Sequence, residues 1–419
     1  MRSKPAQWLA TSVLLLAWSV PGWSQPDLVG EEFQVNQNTT SRQLQPVASF
    51  SPSGKAVIVW ENDIHGLLGR FFDRNGAASA EITLVANRNL PGIPAKGEVL
   101  VRKDPAVVQL PNGELLVFWT EEKDFLILDH FYENRRLLDQ DILGQRFDAS
   151  GAPLGERFQV NAETAGFQSR PKAALKTGGV VVIWESSRDG KNSVSVQGRL
   201  LTRRGKADGN EFRVDAGKTR EVWNTALAAN ASGDFLAVWE TTDSDGPGVA
   251  ARLFDMNGKA AGSELAVPSN PVGRQRRPAA LATRNGDFLV AWQGFRDSSF
   301  HGIYGQLLDG RTGARIGGEV QIGHGTGDVQ ISPALALLPS GGIVAVWMDW
   351  VNTWPTGAYA VTLDSTGRPT GPEVLISQER LYPQYRISVA ASASGDVVTT
   401  WEGRLARGRA IAARRLQAD

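Results

Sequence analysis

The sequence predicts an all-β fold, a β-propeller of seven blades, from three observations. The first is a set of seven apolar runs that each end in tryptophan, at successive spacings of 59, 65, 55, 53, 55 and 54 residues. The second is the four short runs of β-branched and aromatic residues in each repeat, separated by polar turns that contain glycine. The third is that the tryptophan-ending runs are apolar at consecutive positions, as in strands buried on both faces. A repeat of this length predicts an array of similar supersecondary units.

The third repeat shows the four expected strands of one blade. They are Pro171–Leu175, Val180–Trp184, Val194–Leu201 and Glu211–Val214. Short strands joined by polar turns form an antiparallel meander, and sheets covered on both faces favour propeller blades over a two-layer sandwich. We therefore expect the seven tryptophans to lie buried between blades. They are Trp60, Trp119, Trp184, Trp239, Trp292, Trp347 and Trp401.

The two ends of the chain predict how the ring closes. The last repeat contains Val389–Ala393, Val397–Trp401 and Ala410–Leu416, and the sequence stops at Asp419 without a fourth strand. A matching fourth strand, Gly30–Asn36, precedes the first repeat. We predict that this N-terminal strand completes the last blade, because that pairing removes two exposed strand edges at once.

One repeat carries a recognisable motif. Gly144-Gln145-Arg146-Phe147-Asp148, followed by Gly151 and by Phe158-Gln159-Val160-Asn161, resembles the "GQRFD…G…EFQVN" repeat of bacterial secreted and surface proteins. Weaker copies occur at 69–73, 198–201, 305–309 and 359–364. The resemblance implies a repeat array over the mature chain. In that family the array often accompanies calcium-binding or adhesion modules, but this sequence lacks the glycine-aspartate nonapeptides of the calcium-binding type.

The N-terminus predicts export. Arg2 and Lys4 precede an apolar stretch of 13 residues, Trp8–Val20, and then Pro21-Gly22-Trp23-Ser24. This is the pattern of a signal peptide over residues 1–24, followed by one propeller domain over 25–419. The alternative is an uncleaved membrane anchor, which needs about 20 apolar residues. We expect a periplasmic or extracellular protein with no integral membrane segment after cleavage.

The composition excludes several classes of partner. The sequence has 44 lysines and arginines against 44 acids and contains no cysteine. A balanced charge gives no reason to expect binding to nucleic acid. Without cysteine the protein has no disulfide and is not a lipoprotein, so its core alone must stabilise it. We expect a monomer without a cofactor, and its partner is an unknown protein, peptide or glycan.

Charged residues are expected to converge at the channel mouth, on the face where each tryptophan-ending strand finishes. The residues expected directly before the first strands are Gln45, Asp104, Arg170, Trp223, Arg277, Ser332 and Arg386; those directly after the tryptophans include Glu61, Glu185, Glu240 and Glu402. Arg170, Arg277 and Arg386 would suit an anionic ligand. The alternative is that these arginines and glutamates form ion pairs with one another. The acids have no spacing that indicates a metal site.

Two further segments are candidate binding sites on the same face. Trp350 and Trp354 are expected in a loop, where they would stack on a ligand or cap the loop. The insertion from Glu121 to Gln140 contains His130 and Tyr132 and is either a ligand-contacting lid or a structural insertion such as an extended hairpin. None of the four histidines has the spacing of a catalytic triad or a zinc site.

These features favour a secreted or periplasmic, non-catalytic binding or scaffold module, with no catalytic residue assigned. One alternative is a carbohydrate-active hydrolase that uses paired carboxylates near the channel mouth, because propellers bring acids from distant blades together. A second alternative is a cell-surface adhesion component. The sequence alone thus favours a protein that is not an enzyme.

Overall fold

The computed structural model describes residues 25–39, 41–88, 97–129, 132–187, 194–217, 221–243, 245–295, 301–324, 329–351, 354–378, 385–405 and 408–418. Every helix or strand that it assigns in these ranges is a β-strand. Within the same ranges there is no helix of the length and apolar character that a bilayer crossing requires. The fold is therefore all-β, as the sequence predicts.

The strands follow one another in groups of four, named units 1 to 7. The first strand of the chain, β1, spans Asp27–Gln34 and pairs within unit 7. Unit 1 contains β2 (Gln43–Phe50), β3 (Ala56–Asn62), β4 (Gly66–Phe72) and β5 (Ile82–Ala86). Unit 2 contains β6 (Gly97–Gln109), β7 (Leu115–Asp129), β8 (Tyr132–Phe147) and β9 (Phe158–Gln159). Unit 3 contains β10 (Phe167–Lys176), β11 (Gly179–Ser187), β12 (Val194–Thr202) and β13 (Phe212–Arg213).

The remaining units repeat this order. Unit 4 contains β14 (Trp223–Ala229), β15 (Phe235–Asp243), β16 (Gly246–Phe254) and β17 (Leu265–Ala266). Unit 5 contains β18 (Arg274–Ala282), β19 (Phe288–Phe295), β20 (His301–Leu308) and β21 (Arg315–Gly323). Unit 6 contains β22 (Val329–Leu337), β23 (Ile343–Val351), β24 (Trp354–Leu363) and β25 (Val374–Leu375). Unit 7 contains β26 (Tyr385–Ala391), β27 (Asp396–Leu405), β28 (Gly408–Gln417) and β1.

Units 1, 4, 5, 6 and 7 each form a separate four-stranded antiparallel sheet. Units 2 and 3 are joined into one eight-stranded sheet by a parallel bridge between Phe167 of β10 and Gln140 of β8. Within that larger sheet β6 to β9 and β10 to β13 each keep the antiparallel order of the other units. The recurring element of the fold is thus the four-stranded antiparallel meander.

The first strand of the chain lies beside the last one. Phe33 of β1 is in register with Ala413 of β28, and the backbone N–H of Val35 donates to the carbonyl of Ile411 at 2.7 Å. The Phe33 ring lies 5.6 Å from that of Phe72, a residue of unit 1. Unit 7 is therefore assembled from both ends of the chain and contacts unit 1.

The core consists of side chains packed between consecutive units. All seven tryptophans that end the second strands are at most 1% exposed. Trp239 of unit 4, for example, packs with Val181 and Ile183 of unit 3, and Trp60 of unit 1 packs with Val398 and Ile411 of unit 7. Since both faces of the second strands meet neighbouring units, their residues are apolar at consecutive positions.

The glutamate of the repeated motif has a structural role. It lies at or just before the fourth strand of a unit and accepts a backbone hydrogen bond from the segment that follows the fourth strand of the preceding unit. The acceptor–donor pairs are Glu81–Gln37, Glu211–Ala162, Glu264–Ala216, Glu319–Ser269, Glu373–His324 and Glu32–Gln378. The motif thus connects neighbouring units, which explains its recurrence without any catalytic role.

The insertion in unit 2 is an extended hairpin. Strands β7 and β8 pair from Leu115 with Phe147 to Asp129 with Tyr132. An ion pair at its base, Arg102 to Glu121 at 2.8 Å, is almost completely buried, with side chains 3% and 7% exposed. The hairpin is one of the forms expected for a structural insertion, and its conformation alone does not distinguish that role from a ligand-contacting lid. The crossover before β6 includes residues 89–96, which lie outside the described ranges.

Candidate functional site

One residue in the first strand of each unit has an unusual backbone conformation. These seven residues, called the mouth residues below, have φ angles between 43° and 56° although none is glycine: Gln45, Asp104, Arg170, Asn224, Arg277, Ser332 and Arg386. A positive φ is uncommon for such residues and costs on the order of 1–3 kcal/mol each. In every unit a register shift between the first and second strands begins at or just before the mouth residue. The shared conformation shows that the seven positions are structurally equivalent.

The sequence places six of these positions correctly and misses one by a residue. In unit 4 the mouth residue is Asn224, and Trp223, the residue expected there, is paired with Glu240 inside β14. Proline follows the mouth residue in units 1, 2, 3, 5 and 6 and marks the position, whereas Thr225 follows it in unit 4. Unit 7 also lacks this proline, since Ile387 follows Arg386, and there the expected residue is nevertheless the correct one.

The mouth residues contact the residues that follow the tryptophans of the preceding unit. The backbone N–H donates to a side-chain oxygen in four cases: Gln45 to Glu402 at 2.7 Å, Asp104 to Glu61 at 3.3 Å, Arg170 to Thr120 at 3.0 Å and Arg277 to Glu240 at 3.2 Å. These bonds offset part of the cost of the strained backbone. They also draw side chains from consecutive units into one site at the tryptophan end of the sheets.

Two carboxylates of this site share one hydrogen-bond donor. Nε2 of Gln45 lies 3.2 Å from Oε2 of Glu61 and 2.6 Å from Oδ1 of Asp104. The other oxygen of Asp104, Oδ2, accepts a hydrogen bond from the hydroxyl of Thr120 at 3.1 Å. Asp104 is therefore held at both oxygens, and its carboxylate lies beside that of Glu61.

The carboxyl group of Glu61 has a pKa well above its usual value. It is 8% exposed, and burial raises the pKa of its carboxyl to about 7, with the negative charge of Asp104 as the next contribution. The backbone N–H of Asp104 and the cations Lys103 and Arg386 act in the opposite direction. A carboxyl group with such a pKa exchanges protons near neutral pH, which is the property of a general acid or base.

Unit 3 contributes a second acid–base pair. Burial raises the pKa of Glu185, although the guanidinium of Arg170 lies 3.0 Å from its carboxylate. Desolvation lowers the pKa of Lys172, two residues after Arg170, while Asp104 and Glu185 act to raise it. The side chain of Lys172 is nevertheless exposed. Lys172 is therefore close enough to Asp104 and Glu185 to be influenced by both of their charges.

Arginines line another part of the mouth. Nε of Arg386 is 3.9 Å from Glu402, and Arg277 donates from Nη1 to the hydroxyl of Ser332 at 2.8 Å. Burial and the charge of Arg386 lower the pKa of Arg277. Because Arg386 acts electrostatically on Glu61, Lys172 and Arg277, which belong to units 1, 3 and 5, these groups converge on a common region.

The structure brings all seven charged candidates to this mouth. Arg170, Arg277, Arg386, Glu61, Glu185, Glu240 and Glu402 lie at equivalent positions of the units. Two ion pairs form among them, Arg170 with Glu185 and Arg386 with Glu402. Glu240 accepts from Nδ2 of Asn224 at 2.8 Å and forms an ion pair with Arg276, whose Nε lies 3.6 Å from Oε1.

The aromatic candidates are placed differently from the sequence expectation. Trp350 lies inside β23, paired with Val329 and Pro355, and packs partly buried against the core. Trp354 begins β24. The expected loop is thus a continuation of the β23–β24 hairpin, because pairing extends beyond the apolar run. Tyr132 begins β8, and His130 lies outside the described residues.

Three residues that the sequence did not select join the site. Gln45 and Asp104 occupy expected mouth positions but carried no assigned role, and Lys172 lies one residue beyond the proline that follows Arg170. The signal for Lys172 was its position next to Arg170-Pro171. In the part of the chain that the structure describes, no group of three or more histidine, aspartate or glutamate side chains is arranged to hold a metal ion.

Comparisons with known proteins give a likeness of fold. No protein-family model matches the sequence, and no curated protein matches it either. A protein of unknown function from Dyadobacter fermentans has a TM-score of 0.54 at 12% identity, covering 96% of this chain and all of the other. A polysaccharide lyase, an ulvan lyase solved with a bound glucuronate–sulfated rhamnose unit, has a TM-score of 0.54 at 8% identity, with 95% of each chain covered.

A third structure is more distant. The α-L-arabinanase of Penicillium chrysogenum has a TM-score of 0.45 at 14% identity, covering 95% of this chain and 99% of the other. At such identities the likeness describes the fold alone.

These comparisons correct the functional prediction. The prediction of a non-catalytic binding or scaffold module, and with it the expectation that the protein is not an enzyme, is contradicted, because the chain shares its fold with a polysaccharide lyase. The physical reason is that the sequence separates the acids of the mouth by tens of residues. Only folding places Glu61, Asp104 and their shared donor together.

Proposed function

We propose that the protein is a carbohydrate-active enzyme that hydrolyses glycosidic bonds with retention of configuration. Glu61 is the acid–base residue and Asp104 is the nucleophile. The observation that carries the proposal is the contact of both carboxylates with Nε2 of Gln45, at 3.2 and 2.6 Å. The similarity of the fold to a polysaccharide lyase supports a carbohydrate substrate.

The separation of the two carboxylates favours retention. Their two oxygens cannot lie farther apart than the sum of their distances to the shared nitrogen. That limit applies to one oxygen of each group and supports a close pair, the arrangement of retaining glycosidases, whose carboxyl groups lie about 5–5.5 Å apart. Inverting enzymes hold theirs ~6.5–9.5 Å apart, which leaves room for a water molecule between the carboxylate and the sugar.

The environments of the two acids assign their roles. A pKa of about 7 keeps Glu61 protonated below neutral pH, as the donor to a leaving oxygen must be. The hydrogen bonds from Gln45 and Thr120 to its two oxygens fix the orientation of Asp104. The two groups thus meet the need for one proton donor and one oriented carboxylate.

The reaction then has two steps. In the first, the carboxylate of Asp104 bonds to the anomeric carbon while Glu61 gives its proton to the departing glycosidic oxygen. In the second, the ionised Glu61 takes a proton from water, and the resulting hydroxide bonds to the anomeric carbon as the ester to Asp104 breaks. Both residues return to their starting states.

The proposed architecture is a closed ring in which units 1 to 7 are seven blades and 25–419 is a single domain. Pairing of Phe33 with Ala413 and packing of Trp60 against Val398 support this closure. The parallel bridge between units 2 and 3 would then be a local contact between two adjacent blades. The protein would act as a monomer, because the ring completes its own edges.

Export fits a polysaccharide substrate, which is too large to enter a cell. Residues 1–24 would direct the protein to the periplasm or the exterior and then be removed. They lie outside the described ranges. Mass spectrometry of the secreted protein tests this part of the proposal, and a chain that still begins at Met1 would contradict it.

The activity is tested by incubating residues 25–419 with an array of polysaccharides and measuring new reducing ends. We expect hydrolysis of at least one member by the wild type and a loss of about 10²- to 10⁴-fold in Glu61→Gln and Asp104→Asn. Glu156→Gln, an exposed acid far from the mouth, is the matched control and should be fully active. NMR of the first product should show the anomeric configuration of the substrate. Inversion, or equal activity in Glu61→Gln, would reject the proposal.

A further inference from the structure

One arginine of the mouth, Arg277, forms no ion pair within the described part of the chain, although the charge of Glu240 acts to raise its pKa. Among the described residues, the guanidinium of Arg277 contacts the hydroxyl of Ser332 at 2.8 Å and has no carboxylate within 4 Å. The backbone N–H of Arg277 donates a hydrogen bond to Oε2 of Glu240, whereas its guanidinium does not. Arg102, in contrast, is buried against Glu121 at 2.8 Å. An arginine fixed by a neutral hydroxyl keeps its remaining donors for a ligand.

Other cations lie in the mouth, and one of them, Arg386, acts electrostatically on Arg277. The side chains of Arg170 and Arg386 are 48% and 56% exposed, and Lys172 is exposed as well. The charge of Arg386 lowers the pKa of both Arg277 and Lys172, so the like charges destabilise one another. A bound anion would relieve this repulsion and accept charge-assisted hydrogen bonds from the guanidinium groups.

The cations and the proposed catalytic acids act on one another electrostatically. Arg386 of unit 7 influences Glu61 of unit 1, and Lys172 of unit 3 is influenced by Asp104 of unit 2. An anion beside Arg277 and Arg386 would therefore be part of the same sugar chain whose bond lies at Glu61 and Asp104. A neutral sugar would offer no charged acceptor to the guanidinium of Arg277.

We infer that the substrate is an acidic sugar whose carboxylate or sulfate group binds between Arg277 and Arg386. The inference rests on the proposed function for the identity of the ligand as a carbohydrate. It adds the chemical class of the substrate and the residues that recognise it. Arginine suits this role because its planar fork binds two oxygens of a carboxylate or sulfate at once.

The test measures binding without turnover. The Glu61→Gln variant of residues 25–419 is probed against uronate-containing and sulfated oligosaccharides, each paired with its carboxyl-reduced or desulfated form. We expect at least one charged member to bind and its neutral counterpart to bind roughly 10- to 100-fold more weakly, which corresponds to the loss of charge-assisted hydrogen bonds. The uronate and sulfate arms distinguish the two kinds of anion.

Variants in the same background locate the site. Adding Arg277→Gln or Arg386→Gln should reduce the affinity for the charged ligand about tenfold or more and change the affinity for the neutral ligand less than twofold. Arg204→Gln removes the same charge at an exposed turn at the opposite end of the sheets and serves as the control. Equal losses in Arg204→Gln, no preference for the charged member of any pair, or no binding at all would overturn the inference. Circular dichroism checks that each variant is folded. If one arginine variant does not fold, the other still tests the inference.

The outcomes separate this inference from the proposed function. Charged oligosaccharides that bind through Arg277 but are never cleaved by the wild type would support the acidic-ligand site and reject the hydrolase. Cleavage of neutral polysaccharides that is unaffected by Arg277→Gln would support the hydrolase and reject the acidic-ligand site.

Discussion

The backbone N–H of Gln45 donates a hydrogen bond of 2.7 Å to Oε1 of Glu402, a residue 357 positions further along the chain. Gln45 also holds Glu61 and Asp104 through its side chain. A single residue of unit 1 thus connects unit 7 to the proposed catalytic acids. The geometry of the site consequently depends on the contact between the two ends of the chain.

Removal of the first strand tests this dependence. Deleting residues 25–36 should expose the edge of β28 from Ala412 to Gln417, lower the melting temperature and promote self-association, because unpaired edges bind other strands. Size-exclusion chromatography and thermal unfolding measure both effects. A synthetic peptide of residues 25–36 should restore the monomer, whereas a scrambled peptide should not. A deletion variant with wild-type stability would contradict the role of β1.

The pKa of Glu61 predicts a dependence of stability on pH. Its value rises from 4.5 to about 7 on folding, so the native state holds more protons than the unfolded state between these values. The free energy of unfolding should therefore decrease as pH rises from 4.5 to 7, by an amount on the order of 3 kcal/mol. Glu61→Gln removes this contribution. Urea unfolding at pH 5 and pH 8 should show a smaller difference for the variant, and an unchanged difference would contradict the assignment.

The same group predicts the alkaline limb of the activity profile. Activity should decrease as pH rises through about 7, since Glu61 then loses the proton that it must donate. Gln45→Met removes a donor that favours the ionised carboxylate and should move this limb upward by about one unit. Gln145→Met, whose side chain contacts the carbonyl of Gly155, is the control. A limb that stays in place in Gln45→Met would show that the contact does not influence Glu61.

Loss of a tryptophan between units should be costly. Trp239 is completely buried between units 3 and 4, and Trp239→Ala should reduce the free energy of unfolding by about 3–5 kcal/mol. Met256 is 39% exposed and serves as the control, since Met256→Ala should change the free energy of unfolding by roughly 0.5 kcal/mol or less. Urea denaturation compares the two. A small effect at Trp239 would indicate that the interface between units is loosely packed.

The buried ion pair of unit 2 gives a further prediction. Arg102→Ala should cost about 3 kcal/mol because it leaves the buried Glu121 without its nearer partner, although Arg157 remains 3.3 Å away. The double variant Arg102→Met with Glu121→Leu should be more stable than the single one, since no buried charge remains. Chemical unfolding of both proteins measures this order, and the reverse order would show that the pair itself stabilises the hairpin.

Particular residues show how far local sequence predicts the site. The prolines after Gln45, Asp104 and Arg170 mark equivalent positions, and the apolar runs identify the strands beside them. In unit 4, where no proline follows, the expected residue is Trp223 and the structure has Asn224. Trp350 shows a similar limit, because whether a polar stretch continues a hairpin depends on partners such as Val329.

The sequence by itself determined the all-β repeat, the burial of the tryptophans and the face on which charged residues gather, because these follow from local periodicity and composition. Only the tertiary structure decided that the side chain of Gln45 contacts both Glu61 and Asp104, although Asp104 lies 59 residues after Gln45 in the chain. It also decided that burial shifts the pKa of Glu61 and that Arg277 lacks a carboxylate partner in the described ranges. Distances, desolvation and charge coupling between units depend on packing in three dimensions, and no spacing along the chain encodes them directly.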